Sequence, residues 1–121
     1  MRGIGIDAVE IERFRRLLER RPGAAERLFT DGERAFGARW KDPAPRLAVR
    51  FAAKEAVMKA LGVGVGAFAF RDVEVVSEAS GAPSLVLRGG AQALAQRLGV
   101  RDWKVSLTHT DSVAHAVAVA L

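Results

Sequence analysis

The chain has 121 residues, no cysteine, no tyrosine, two histidines and four prolines. Without cysteine there are no disulfide staples, no thiol nucleophiles and no thiolate zinc sites. With tyrosine also absent, catalysis can draw only on Asp, Glu, Lys, Arg, Ser, Thr and the imidazoles of His109 and His115. Long hydrophobic runs are missing too. No stretch nears the roughly 20 apolar residues that cross a bilayer, and the first residues lack a signal-peptide pattern, so a cytoplasmic location is expected. There is no repeat, low-complexity tract or linker. Residues 1–121 are enough for one domain with a modest core, and so small a domain gains from self-association.

Half of the chain is hydrophobic and 27% charged, the balance of a folded protein. The formal net charge of +5 favours an anionic partner: nucleic acid, a phosphate-rich small molecule or an acidic protein. The excess is concentrated in "ERFRRLLERR" (12–21), with five arginines against two glutamates. Arg13, Arg16 and Arg20 recur at helical spacing and, with Arg21, form a stripe suited to an acidic helix; the plainer reading is a solvated face. Only four of the 19 basic residues are lysines, and two of them, Lys54 and Lys59, interrupt the alanine-rich "RFAAKEAVMKALG" (50–62).

The patterning predicts a strand over 3–7 and an amphipathic helix over "VEIERFRRLLER" (9–20). Short helices are expected at 24–29 and after a Thr30 or Asp31 cap, then a long helix over 44–61 headed by proline. "GVGVG" (62–66) ends that helix as a flexible loop. Alternating residues predict strands at 70–78 and 84–88, a helix at 89–99, and two final strands, 103–110 and 115–121, around a turn at Asp111 and Ser112. Early helices and late strands describe an α+β domain with helices on an antiparallel sheet.

Several residues could carry chemistry. Glu55 and Lys59, four apart, share a helix face over small alanines, either as a surface pair or as a site that something approaches closely. Gly62, Gly64 and Gly66 follow, and a glycine loop lets a backbone come near phosphate oxygens. Asp7 reads as a helix cap, with Glu10 completing a capping-box pattern, or as a strand-end carboxylate that joins Glu55 around a hard cation such as Mg²⁺. His109 sits at a strand end among hydroxyl residues, as a turn histidine or a site residue. His115, Trp40 and Trp103 read as structural or interface residues.

Three separated segments, "GIGIDAVEIERF" (3–14), "RFAAKEAVMKALGVG" (50–64) and "VSLTHT" (105–110), resemble the signature motifs of holo-acyl-carrier-protein synthases, in order and across nearly the whole chain. The resemblance implies a single α+β 4′-phosphopantetheinyl transferase domain, homotrimeric, with active sites between subunits. It implies transfer of phosphopantetheine from coenzyme A to a serine of apo-acyl carrier protein, releasing adenosine 3′,5′-bisphosphate. By the same resemblance Asp7 and Glu55 hold Mg²⁺ and are catalytic with Lys59. Arg50, Lys54, Lys59, Gly62, Gly64 and His109 bind coenzyme A, and Arg13, Arg16, Arg20 and Arg21 dock the carrier. There are two departures. Val63 stands where the glycine loop usually carries Thr, and the second acid that larger relatives carry two residues after the first is missing.

Two rivals come from other classes. A small basic nucleic-acid-binding module would explain the charge but not the placed acids, and the chain lacks interleaved aromatics for base stacking. A non-catalytic coenzyme A-binding subunit would keep the glycine loop and His109 without needing Asp7 and Glu55 together.

Overall fold

Four alanines at alternate positions of the last strand, Ala114, Ala116, Ala118 and Ala120, are all buried, and this small-residue face determines what can lie on it. In the computed structural model, which describes residues 1–121, the elements run β1 (Gly3–Glu10), α1 (Ile11–Arg20), α2 (Ala24–Leu28), α3 (Asp31–Gly37), α4 (Ala44–Ala60), β2 (Val73–Ser77), β3 (Pro83–Leu87), α5 (Gly89–Arg97), β4 (Trp103–His109) and β5 (Val113–Ala120). β5 is the central strand of an antiparallel sheet in the order β1-β5-β4, and β2 and β3 form a separate hairpin. The long helix α4 lies across β1 and β5.

Alanine is not the smallest residue at this interface. A Cβ built on Gly5 would stand 1.9 Å from the Ala56 carbonyl oxygen, and one on Gly3 2.0 Å from that of Ala60. The helix backbone therefore rests directly on the strand backbone. Ala52 and Ala56 of α4 are fully buried, so what approaches the alanine face of the helix is the chain's own sheet.

Two apolar clusters fill the remaining space. One joins α4 to β2, α5 and β5 through Val57, Met58, Val73 and Val75. The other packs Phe14, Phe29 and Leu47 beneath α1. The α+β expectation holds, with differences at element ends. The first strand runs three residues beyond its expected end, because residues 8–10 continue the ladder against His115, Ala114 and Val113. Residues 70–72 form a 3₁₀ turn rather than the start of a strand. No helix is long and apolar enough to cross a membrane.

Candidate active site

The extended ladder excludes one of the two readings of Asp7. α1 begins at Ile11, its N-cap position is Glu10, and no side chain caps it. Asp7 is no helix cap: it lies inside β1, opposite Ala116. Its side chain, 13% exposed, accepts a hydrogen bond at 3.0 Å from Lys59 Nζ, which also donates to the Ile6 carbonyl at 2.9 Å. The same row of β1 carries Gly3 and Gly5, so the contact that seats α4 on the strand also brings Glu55 to Asp7. Burial, and next the Asp7 charge, push the half-buried Glu55 carboxyl above its ordinary range, with Lys59 opposing; no hydrogen bond offsets them.

A half-buried carboxylate without a partner, destabilised by a second one, suits a hard divalent cation that accepts oxygen ligands. The chain offers no cluster of three or more metal-ligating side chains. Two residues along β1 from Asp7 stands Val9, packed into the core.

Lys54 is where the sequence reading fails. It was expected at a phosphate, yet it is fully buried beside Glu33, itself 1% exposed. Its Nζ donates to Glu33 Oε1 at 2.7 Å, to the Phe70 carbonyl at 3.0 Å and to the Val73 carbonyl. All three donors are spent, so Lys54 has none left for coenzyme A. Burial pulls its pKa down, and Glu33 only partly restores it.

Arg50 and His109 meet in a cavity of about 260 Å³, which Arg46, Phe36 and Trp40 also line. The Arg50 guanidinium stacks on Phe36 at 3.9 Å, its Nη1 reaches the Arg46 carbonyl at only 3.4 Å, and its buried Nε has no partner. His109 itself is exposed, with Nδ1 3.1 Å from the Thr110 carbonyl. Two guanidinium cations and an imidazole lining one cleft suit an anion. Neither Arg46 nor the ring wall was evident in the sequence, because helical spacing does not say which arginine turns inward. Arg50 and Glu55 are five positions apart, a rotation of about 140° around α4. One chain therefore keeps this cavity and the Asp7–Glu55 pair on opposite flanks of the helix.

Beyond α4, Gly62 has φ 73° and Gly66 φ 104°, the left-handed region where glycine is at ease. The amides of Gly64, Val65 and Gly66 donate to no backbone carbonyl, and Gly62 shares a groove of about 480 Å³ with Lys59. Val63, which stands between the first two glycines, packs toward the core. On α1, Arg13, Arg16, Arg20 and Arg21 line one groove, while Arg15 turns away to Glu12 and Asp42. Arg13 also borders an apolar cavity of about 360 Å³ between Phe14, Leu17 and Phe51 that reaches Ala8, next to Asp7.

Comparison with known proteins gives this arrangement a family. A model described as the 4′-phosphopantetheinyl transferase superfamily matches residues 3–118. A holo-[acyl-carrier-protein] synthase of Streptomyces avermitilis is 50% identical over 98% of this chain and 95% of its own. The crystal structure of the synthase from Neisseria meningitidis superposes with a TM-score of 0.90 at 32% identity, covering 100% of this chain and 98% of that one. The Helicobacter pylori synthase, solved in complex with coenzyme A, gives 0.85 at 30% identity, covering 98% and 99%. Motifs, fold and relatives agree over nearly every residue, and the chain belongs to the holo-acyl-carrier-protein synthases of the 4′-phosphopantetheinyl transferase superfamily.

Proposed function

We propose that the chain moves the 4′-phosphopantetheine group of coenzyme A onto a serine of apo-acyl carrier protein, in the cytoplasm, to serve fatty acid synthesis. The serine oxygen forms a bond to phosphorus, a P–O bond of the pyrophosphate breaks, and adenosine 3′,5′-bisphosphate leaves as the serine proton is lost. The observation that carries the reading is Glu55: a half-buried carboxylate, without a partner, beside Asp7. Asp7 and Glu55 would hold Mg²⁺, and bound there the ion would polarise the phosphoryl group and relieve the repulsion between the two acids.

The remaining residues bind and orient. Lys59, half-exposed and held by a single carboxylate, can turn its ammonium to phosphate oxygens. The open amides beyond Gly62 and around Gly64 suit the same group. The Arg50–His109 cavity suits a second phosphate of the same ligand. Because the two anion sites lie on opposite flanks of α4, one coenzyme A is best spanned by two chains. Exposed Ile4 and Ile6 on the outer face of β1 support self-association, and we read the assembly as a homotrimer. The basic groove of α1 shares Arg13 and Leu17 with the apolar cavity that reaches Ala8, and an acidic carrier docked there would stand near the reacting phosphate.

Mass spectrometry of apo-acyl carrier protein incubated with coenzyme A and this protein tests the reading. The carrier should gain one phosphopantetheine with Mg²⁺ present and none with EDTA. An unmodified carrier under both conditions overturns it. Analytical ultracentrifugation tests the assembly, and a fully active monomer would refute it.

A further inference from the structure

We propose that the buried Glu33–Lys54 pair is a positioning device that holds the glycine loop in place, standing in for a strand that the β2–β3 hairpin lacks. β2 has one partner strand, so one edge of it is unpaired. At that edge Glu33 Oε2 accepts the Val75 amide at 2.9 Å and Lys54 Nζ donates to the Val73 carbonyl. Residues 73 and 75 face the same edge of a strand, so the two side chains supply one acceptor and one donor where a neighbouring strand would supply backbone groups.

The remaining bonds tie this false rung to the rest of the molecule. Glu33 Oε1 also accepts the Thr30 amide at 3.0 Å, inside the capping box of α3. Lys54 also holds the Phe70 carbonyl at 3.0 Å. Phe70 is the residue at which the chain returns from the glycine loop, and Leu61 is the one at which it leaves α4. Both ends of residues 62–69 are thus fastened to one helix, at positions 54 and 61, about 10 Å apart along its axis. Between the fastenings the loop is open: a Cβ on Gly62, Gly64 or Gly66 would meet nothing within 4 Å.

Stability alone does not require such a pair, because a buried ion pair roughly breaks even with apolar residues of the same volume. What it adds is a fixed place for the loop amides relative to Glu55, the residue after Lys54. The competing account is that Phe68 and Val73, both buried, already hold the segment.

The test compares wild type, the uncharged double variant Lys54→Met with Glu33→Gln, and Glu33→Asp, which keeps the charge but shortens the arm by one methylene. Hydrogen exchange of the bonded loop amides, those of Gly62, Val63 and Ala67, should quicken roughly tenfold or more in both variants while α1 and the central sheet stay protected. The KM for coenzyme A should rise roughly tenfold, with the KM for the carrier unchanged. The kinetic arm rests on the transferase reading above; the exchange arm does not, so an inactive wild type would sink that reading while exchange still decides this one. Folded variants whose loop exchange matches wild type overturn the proposal, and Glu33→Asp keeps it testable if the double variant fails to fold.

Discussion

Helix α4 carries two lysines five positions apart, and they have opposite fates. Lys54 is sealed in the interior with each of its three donors bonded. Lys59 stands at the surface, 54% exposed, shared between Asp7 and one carbonyl. Their acids differ in the same way: Glu33 accepts three hydrogen bonds, and Glu55 accepts none. The Lys54–Glu33 pair has every donor and both carboxylate oxygens bonded. Across the helix Glu55 is left an unsatisfied carboxylate, which suits a group that takes a ligand. Charge type does not separate the two pairs; completeness of hydrogen bonding does.

Breaking the satisfied pair should cost the most stability. Lys54→Met alone strands Glu33 in the core, and urea unfolding should show a loss of about 3–5 kcal/mol. A loss below about 1 kcal/mol would mean that the pair is not a closed network. At the unsatisfied pair the cost falls on activity instead. Asp7→Asn keeps the shape and the strand ladder, so the fold should persist while turnover falls roughly 10²–10³-fold, as when one charge-stabilising group is lost from an active site. Circular dichroism and a carrier-modification assay check both halves, and a folded, fully active Asp7→Asn protein would merge the two pairs into one structural category.

A smaller effect is expected away from α4. Arg13→Glu with Arg20→Glu should raise the carrier KM roughly tenfold at low salt and hardly change coenzyme A binding, since rim charges act mainly on association. Stopped-flow rates across an ionic-strength series measure it, and a carrier KM indifferent to both changes would leave the groove a solvated face. The smallest effect sharpens the contrast most. Glu55 has its folded pKa raised by burial and by Asp7, so its ionised form costs stability above that pKa, and the cost fades as pH falls through it. Metal-free Glu55→Gln should therefore melt roughly 2–4 °C higher than wild type near pH 8. The gap should close toward the ordinary carboxylate range. A variant less stable than wild type at pH 8 would contradict an unsatisfied Glu55.

Much of the fold was legible in the sequence because local signals and tertiary packing agree. Proline at the head of α4, the glycines at its end and the alternation of residues 103–120 mark elements that the structure keeps. Asp7 and Glu55 were legible as a pair through their motifs, since their spacing of 48 positions carries no geometric information. Two readings went wrong for the same reason. "DAVE" looks locally like a capping box, but pairing with β5 holds those residues in a strand. Lys54 looks like a ligand to phosphate because helical periodicity assigns a face without saying what covers it. Its partner, Glu33, stands 21 positions earlier in a helix whose capping box already accounts for a glutamate there. The Arg50–His109 cavity was half legible: the two residues were expected at one ligand, but Arg46 and the aromatic wall appear only once α3 packs on α4.

The bare contact of Gly5 with the Ala56 carbonyl oxygen also bears on how steady the site is. Most helix–sheet interfaces are spaced by side chains, which yield by small shifts and rotamer changes. Here no such spacer lies between strand and helix, and neither glycine has a rotamer to change. Thermal noise in the surrounding core has little purchase on the gap between Asp7 and Glu55. The stiffness of that gap comes from two side chains that are not there.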